Sequence, residues 1–354
     1  MTETPASKRR LLLVGNPDPV HVGAHLANAA ARSGYSVHLV DVRRAYEAPG
    51  WRRRVNWWLR GRRPSRLRAF SREVVDKCWE SRPGWMLATG LAPIEANALE
   101  ALGALGIQRV MYLTDDPWNL SHRAEWFMEA LPLYDLVFSP RRANLSDLER
   151  LGCRVVRYLP FAYAPEVHYP DPPATPDEAR AFSSDIVFAG GADADRVPYI
   201  QALLGAGFKV ALYGGYWERF QATRPHSRGH TDPASLRKAI GGAKVALCLV
   251  RRANRDGLAM RTFEVPAIGA CMLVEDTEEH REIFGPPDRA VAYFRSLDEL
   301  VQRMSQLLDD PAERGRLASE AHRLIVDGGH TYRDRLRCML ESAPETASTG
   351  AGAL

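Results

Sequence analysis

Short apolar runs alternate with amphipathic stretches along most of the chain. The opening places an apolar run at 11–15, helical spacing of apolar residues over 21–33 and a second apolar run at 35–40. Such β-α-β units build parallel sheets that carry helices on both faces. Because the pattern restarts near residue 185, the sequence predicts an α/β protein with two doubly wound, Rossmann-like domains. The other predicted strands lie at 85–88, 109–113, 136–139, 154–159, 185–189, 209–213, 245–250 and 271–274.

The length of the chain agrees with two domains. Its 354 residues exceed the size of a typical single core. A proline-rich stretch at 160–176 interrupts the periodicity and predicts the connection between them. The predicted division is a first domain at 1–165, a linker at 166–184, a second domain at 185–328, a closing helix at 329–341 and a disordered tail at 342–354.

Composition and cysteine usage predict a reduced, cytoplasmic protein. No apolar run has the length of a membrane-spanning helix. Basic residues at 8–10 resemble the start of a signal peptide, but the Asn-Pro-Asp-Pro sequence at 16–19 ends the following apolar run too early. The cysteines, at 78, 153, 248, 271 and 338, are scattered and form no metal-binding spacing with histidine. We therefore predict free cysteines and no zinc site.

Arg261 and Glu264 stand three residues apart at the start of a predicted helix. Side chains at this spacing lie on one helical face, so Arg261 can meet a diphosphate while Glu264 accepts hydrogen bonds from a ribose diol. The positive end of the helix dipole would favour the same anion. A surface ion pair explains the spacing equally well.

The elements after this helix occur in a specific order. Strand patterns at 270–274 and 290–294, separated by an acidic turn at 275–280, precede a capping box of Ser296 and Glu299 and helices at 311–327 and 330–337. Over 185–340 this order resembles the C-terminal half of the CgeB-like glycosyltransferases, relatives of the retaining glycosyltransferase family 4, which adopts the GT-B fold. The resemblance implies two domains facing a central cleft. It also implies transfer of a sugar from a nucleoside diphosphate sugar, by default a UDP-sugar, to a hydroxyl of a small molecule, polysaccharide or lipid, without a cofactor.

Glycine pairs follow two predicted strands of the second domain. Gly190 and Gly191 would let the backbone approach a phosphate closely, and Tyr213 with Gly214 would form a wall for the base or sugar. Plain turns explain both pairs equally well. The resemblance places the nucleotide among these loops and the arginine–glutamate helix. The predicted donor-binding residues are therefore Gly190, Gly191, Arg196, Tyr213, Gly214, Arg261, Thr262 and Glu264.

Relatives in the broader retaining group carry two glutamates with seven residues between them. Glu264 fills the second place, but the first is held by Asp256, a shorter acid. This departure favours a solvated loop aspartate over a ligand of the sugar. The neighbouring Arg251, Arg252 and Arg255 would either neutralise a pyrophosphate or be solvated.

The first domain is expected to bind the acceptor. Asp115 and Asp116 follow a predicted strand, where catalytic residues concentrate, and either could orient a hydroxyl or act as a base. An ordinary turn and helix cap would use the same residues. His21 and His25 share a helical face, but a metal would need a third ligand that the sequence does not present. The catalytic candidates are Asp115, Asp116 and His21, with no metal.

Stereochemistry decides which of these residues the reaction needs. With retention, favoured by the resemblance, Arg196 and Arg261 would stabilise the leaving diphosphate and no protein nucleophile is required. With inversion, Asp115, Asp116 or His21 must act as a base. Two other functions stay open: a non-catalytic nucleotide-binding or scaffold protein on the same fold, and a sugar-nucleotide epimerase.

The segment 43–72 is strongly basic. It holds eleven arginines against one acid, Glu47, a net charge of +10, whereas the whole chain has +4. Trp51, Val55, Trp58 and Leu59 fall at helical spacing and form an apolar stripe. The stripe could pack on the first sheet, or the helix could lie at the inner face of an anionic membrane or hold an acidic acceptor. Nucleic acid is disfavoured because no nucleic-acid-binding motif is present.

Overall fold

A computed structural model describes residues 9–342 of the protein. The tail predicted to be disordered lies outside the described residues, apart from Ser342. The first domain contains β1 (Arg10–Gly15), α1 (Val22–Arg32), β2 (Ser36–Asp41), α2 (Gly50–Leu59), α3 (Leu67–Ser81), β3 (Trp85–Thr89), α4 (Ala96–Ala104), β4 (Gln108–Tyr112), α5 (Glu125–Ala130), β5 (Leu136–Ser139), α6 (Leu145–Arg150) and β6 (Val156–Tyr158).

A second set of elements follows the connection. It contains α7 (Pro176–Phe182), β7 (Ser184–Ala189), α8 (Val197–Gly205), β8 (Val210–Tyr213), β9 (Ser227–Gly229), α9 (Pro233–Gly242), β10 (Ala243–Cys248), α10 (Arg261–Ile268), β11 (Met272–Glu275), α11 (Glu278–Phe284), β12 (Ala292–Phe294), α12 (Leu297–Asp309), α13 (Pro311–Asp327) and α14 (Tyr332–Glu341).

Each set of strands forms one parallel sheet. The strand order is β2-β1-β3-β4-β5-β6 in the first sheet and β12-β11-β10-β7-β8-β9 in the second. The central strands are continuous apolar runs because helices cover both faces of each sheet; Leu11, Leu12 and Leu13 of β1, for example, are all buried. The predicted α/β fold with two doubly wound sheets is confirmed.

The chain crosses between the two sheets twice, and the crossings lie side by side. The Tyr163 amide donates to the carbonyl of His330, and the Tyr332 amide donates to the carbonyl of Tyr163, both at 3.1 Å. The guanidinium of Arg335 also donates to the carbonyl of Phe161 at 3.0 Å. These bonds return α14 to the first domain, where it packs on α1.

The predicted linker is not entirely irregular. Its last part forms α7, which is held against α9 because Lys238 contacts both Asp171 and Glu178 at 3.2 Å. The domain boundaries given above stay a prediction. At the start of α12, the Glu299 amide donates to the Ser296 hydroxyl, but the Glu299 carboxylate accepts from the Arg295 amide instead of from Ser296.

The helix predicted in the basic segment forms as α2, but its apolar stripe is not packed on the sheet. Trp51, Trp58 and Leu59 are 68%, 78% and 79% exposed, and the buried residue of the helix is the polar Asn56. The sequence pattern therefore predicted the helix and its apolar face correctly. The alternative that this face packs on the first sheet is wrong.

Candidate active site

A cavity of about 610 Å³ lies between the two sheets. Its walls come from the ends of β1, β3, β4 and β5, from the ends of β7 and β10, and from the start of α10. Open parallel sheets bind ligands at the carboxyl ends of strands, next to the point where the strand order reverses. Both reversals, β1/β3 and β7/β10, border this cavity. Its polar lining includes His21, Asp115, His122, Arg141, Arg196, Arg251, Asn254, Asp256 and Arg261.

Arg261 enters the cavity from the first turn of α10. Its Nε donates to the carbonyl of Ala189, at the end of β7, at 3.1 Å. Its guanidinium also forms an ion pair with Glu264 one turn later. Burial lowers the pKa of Arg261 to about 10, which leaves the side chain charged at neutral pH. The side chain is 25% exposed, so this cation is accessible to an anion that enters the cavity.

Arg196 lies on the same wall and is buried. Its two terminal nitrogens donate over long distances, 3.3 Å each, to the carbonyls of Gly191 and Leu249. Its Nε has no hydrogen-bond partner among the described residues. Burial lowers the pKa of Arg196. These weak contacts leave the guanidinium with hydrogen-bonding capacity for a ligand.

The glycines after β7 are held in place by the loop after β8. A Cβ atom on Gly214, whose φ is +129°, would lie 2.5 Å from the carbonyl oxygen of Gly190, so a side chain does not fit there. The Trp217 indole donates to the same carbonyl at 2.8 Å. Gly190 lines the cavity, whereas Gly191, Gly214 and the buried Tyr213 lie behind it. Tyr213 thus does not line the cavity, although it was predicted from the sequence to form a wall for the base or sugar.

Glu264 and Thr262 also lie outside the lining of the cavity. Glu264 is 1% exposed and contacts Arg261 and, at 3.6 Å, the Nε2 of His168. The Thr262 hydroxyl accepts from the Ala259 amide at 3.0 Å and lies 2.9 Å from the Nε2 of His280. Glu264 therefore positions the guanidinium of Arg261, and Thr262 fixes the turn before α10. The contact between Glu264 and a ribose stays a prediction.

The adjacent aspartates after β4 have different surroundings. Asp115 lines the cavity, is half-buried, and forms no ion pair with any described residue. Asp116 is 1% exposed and accepts from Asn144 at 2.9 Å, from Arg255 at 2.6 Å and from the Trp118 amide at 3.0 Å. Burial alone would raise the pKa of Asp116, but these bonds outweigh it and lower the pKa. The carboxylate of Asp116 is consequently engaged in hydrogen bonds within the protein, and that of Asp115 is available to contact a substrate.

Asp256 is not a solvated loop residue, contrary to the sequence-based interpretation. Its carboxylate is buried and pairs with Arg141, which follows β5 of the other sheet. Burial raises the pKa of Asp256 against the opposing effect of Arg141. Arg255 pairs with Asp116 across the same interface. Arg255 also pairs with Asp147 of α6 at 2.7 Å, so three ion pairs fix the loop after β10 to the first domain.

The other two arginines of this loop have separate roles. Arg252 donates to Glu275 at 2.9 Å, within the second domain. Arg251 lines the cavity, is 43% exposed and lies 3.8 Å from Asp193. Arg251 is therefore the loop arginine with the greatest freedom to contact a diphosphate.

His21 and His25 are separated by the structure despite their helical spacing. His21 is exposed, precedes α1 and lines the cavity. His25 is buried, stacks on Tyr332 with ring centroids 5.0 Å apart, and lies near His168 and Glu264. The structure thus brings together a three-residue cluster that the sequence did not present.

The cluster of His25, His168 and Glu264 does not suit a metal ion. The Nδ1 of His168 accepts from the Ala164 amide at 3.0 Å, so the neutral ring carries its proton on Nε2, the atom that faces Glu264. A metal at Nε2 would need a lone pair there. The ion pair of Arg261 with Glu264 also opposes a second cation. The ring of His25 has no hydrogen-bond partner among the described residues and packs on Tyr332 instead.

His122 was missed from the sequence. It lines the same cavity as Asp115, and its Nε2 donates to the carbonyl of Asp116 at 2.8 Å. The neutral ring therefore has a lone pair on Nδ1, which can accept a hydrogen bond. A lone histidine in the loop 114–124 carries no pattern that would have indicated this position.

The burial of His25 predicts a pH-dependent stability. Burial lowers its pKa to about 4, whereas the unfolded chain has the ordinary value near 6.5, so only the unfolded state binds this proton between those values. Stability is therefore lost as pH falls below about 6.5, by up to about 1.4 kcal/mol per pH unit for each such histidine. In urea denaturation at pH 7, 6 and 5, we expect His25→Phe to lose less stability on acidification than the wild type.

A matched control separates this effect from a general one. His38 is exposed on β2, so His38→Phe should keep the wild-type pH dependence. An unchanged slope in His25→Phe would show that this ring does not couple folding to protons.

Comparison with known proteins agrees with this architecture. The Glycosyl transferase-like family matches residues 196–341. A sucrose-phosphate synthase from Thermosynechococcus elongatus is similar in structure, with a TM-score of 0.66 and 13% identity over 94% of this chain and 97% of that one. A comparison with curated protein sequences found no match.

Two further structures similar to this chain hold nucleotides. One is described as trehalose-6-phosphate from E. coli bound with UDP-2-fluoro glucose, with a TM-score of 0.63 and 14% identity over 95% of this chain and 99% of that one. The other is HepE from Anabaena in complex with UDP, with a TM-score of 0.60 and 11% identity over 94% and 98%. The chain has the GT-B fold, and the family match over its second domain supports a glycosyltransferase.

Proposed function

We propose that this protein transfers a sugar from a nucleoside diphosphate sugar to a hydroxyl group, and that the donor binds in the cavity between the sheets. Three arginines of the second domain that line the same cavity carry the proposal. Four arginines and two aspartates line it, and Arg141 is neutralised by Asp256. Of the other three, Arg261 pairs with Glu264, and Asp193 lies 3.6 Å from Arg196 and 3.8 Å from Arg251, but both of these acids lie outside the lining of the cavity. A diphosphate supplies the complementary negative charge.

The diphosphate would lie between Arg196, Arg261 and the start of α10. Gly190 presents its backbone on the same wall, and Met260 at the beginning of the helix lines the cavity. Helix dipole and guanidinium groups both favour a phosphate here. UDP is the proposed nucleotide, because the CgeB-like resemblance implies it and two structures similar to this chain hold UDP or a UDP-sugar.

The proposed reaction breaks the bond between the anomeric carbon and the terminal phosphate oxygen of the donor. A new bond forms between the anomeric carbon and the acceptor oxygen, on the same face of the sugar. The acceptor proton passes to the leaving diphosphate, and Arg196 and Arg261 stabilise the negative charge that develops there. Charge neutralisation by side chains would make a divalent metal unnecessary. Asp115, His21 and His122, on the opposite wall, would orient the acceptor hydroxyl.

Asp115→Asn tests the acceptor side. The substitution keeps the size of the side chain but removes its charge, so we expect turnover to fall about 10²-fold, the scale of a positioned acid or base. Donor affinity should stay unchanged, because the residue lies opposite the arginines. Release of UDP from a panel of UDP-sugars, with and without hydroxyl acceptors, measures the rate, and calorimetry measures the affinity.

Asp76→Asn on the exposed face of α3 is the control and should behave as wild type. Wild-type turnover in Asp115→Asn would remove this carboxylate from the reaction. Nucleotide binding without release of UDP from any donor would favour a binding protein. Conversion of the donor sugar in the absence of acceptor would favour an epimerase.

A further inference from the structure

Helix α2 is packed with its polar side inward. The side chain of Asn56 is buried and its Nδ2 donates to the Ser65 hydroxyl at 2.9 Å. Trp51, Trp58 and Leu59, on the opposite side, are more than two-thirds exposed. Single exposed apolar residues are common on proteins, but a contiguous patch of large ones marks an interaction site. We call Trp51, Val55, Trp58 and Leu59 the α2 face.

Positive charge surrounds the α2 face. Of the eleven arginines in segment 43–72, four form ion pairs with described acids, namely Arg43, Arg44, Arg63 and Arg66. Arg52, Arg53 and Arg54, within α2 itself, form no ion pair with any described residue and are exposed. The face therefore combines an apolar stripe with cations that no part of the described chain neutralises.

The α2 face lies close to the mouth of the cavity. Arg62, just after the helix, donates to the carbonyl of Leu120 at 2.6 Å and to that of Arg123 at 2.8 Å. Leu120 is 77% exposed and extends the apolar surface. Tyr46 before the helix and His122 beside Leu120 both line the cavity.

We propose that the α2 face docks on the surface of an anionic lipid bilayer. Tryptophan and leucine insert at the boundary between headgroups and acyl chains, while flanking arginines bind anionic headgroups. Ten residues of helix extend only about 15 Å, so α2 lies along the surface and does not cross it. In the part of the chain that the structure describes, no helix is long and apolar enough to span a membrane. A lipid partner explains why aliphatic side chains such as Leu59 are exposed on this face, whereas the phosphates of a nucleic acid do not.

Docking would turn the mouth of the cavity toward the bilayer. If docking is combined with the proposed function, on which this conclusion rests, the acceptor is a hydroxyl group carried by a membrane lipid. Docking itself is independent of the reaction, because the α2 face contains none of the residues that line the cavity.

Vesicle flotation tests the docking surface on the full chain. Flotation is compared between vesicles of phosphatidylcholine alone and vesicles that also contain about 30% of the anionic lipid phosphatidylglycerol. Each comparison is made at low and at high salt. We expect flotation with the anionic vesicles only, and its loss at high salt. The charge-reversed variant Arg52→Glu/Arg53→Glu/Arg54→Glu should bind about 100-fold more weakly. The variant Trp51→Ala/Trp58→Ala/Leu59→Ala should bind at least about tenfold more weakly.

Controls keep the outcome specific to α2. Trp79→Ala removes an exposed tryptophan of α3, and Arg154→Glu/Arg157→Glu/Arg228→Glu reverses three exposed charges elsewhere; both should float as wild type. Calorimetric binding of UDP should be unchanged in both α2 variants, which shows that they are folded.

Equal flotation with neutral vesicles, or wild-type flotation of the α2 variants, would overturn the proposal. Absence of flotation, with binding of a polynucleotide instead, would overturn it in favour of nucleic acid. Flotation of a protein that binds no nucleotide would support the docking surface and contradict the proposed function.

Discussion

We expect the Arg141→Ala variant to lose about 3–5 kcal/mol of unfolding free energy, the cost of leaving one member of a buried ion pair unpaired. The side chains of Arg141 and Asp256 are 3% and 8% exposed, and the pair joins the two sheets. In the variant, Asp256 must either stay charged without a partner or take up a proton. Urea denaturation at pH 7 measures the loss.

Two further variants make this result specific. Arg323→Ala removes an exposed ion pair within α13, whose expected cost is below about 1 kcal/mol. The double variant Arg141→Ala/Asp256→Asn should be more stable than Arg141→Ala alone, because it removes the unpaired carboxylate. If Arg141→Ala costs no more than Arg323→Ala, the two sheets are not joined by this pair.

Arg261→Ala should weaken nucleotide binding about 10- to 150-fold, which corresponds to about 1.5–3 kcal/mol for a charged hydrogen bond. Arg261 is the cation at the start of α10, its side chain is 25% exposed, and its Nε is fixed to the carbonyl of Ala189. The side chain is therefore already ordered before the ligand arrives, and its loss removes a preformed contact. Calorimetry with the nucleotide that binds the wild type measures the effect.

Glu264→Gln and Arg251→Ala accompany this variant. Glu264 contacts Arg261 without lining the cavity, so its loss should weaken binding less than the loss of Arg261 itself. Arg251 is more exposed, and we expect a smaller effect for it as well. Equal affinity of Arg261→Ala and wild type would place the diphosphate elsewhere. A larger loss in Glu264→Gln than in Arg261→Ala would support a direct contact of Glu264 with the ribose.

The strands and the general position of the candidate site were predictable from the sequence. Apolar runs of five or six residues indicate buried parallel strands, and the carboxyl ends of such strands are where ligands bind. Gly190, Arg196 and Arg261 were predicted on these grounds together with the resemblance, and the structure places all three on the cavity.

The distinction between neighbours was not predictable. Asp115 and Asp116 are chemically identical, and only the folded chain shows that Arg255, distant in sequence, binds the second of them. Asp256 was interpreted as solvated because it is shorter than the expected glutamate, and its partner Arg141, 115 positions away along the chain, was not foreseen. Ion pairs across an interface leave no periodic signal in a sequence.

The orientation of α2 was unpredictable for a similar reason. Helical spacing shows that Trp51, Val55, Trp58 and Leu59 share a face. It does not show whether that face meets the sheet, and here Asn56 is fixed inward by Ser65 instead. The same spacing of His21 and His25 gave no hint that His168 and Glu264 would surround the second ring.

The central claim is that the cavity between the sheets binds the diphosphate of a nucleotide sugar. Calorimetric titration of the purified protein with UDP, GDP, dTDP and ADP tests it most directly. We predict one site per chain with micromolar affinity for one of these nucleotides, UDP by preference. No heat from any of the four, with folded protein confirmed by its urea transition, would contradict the claim.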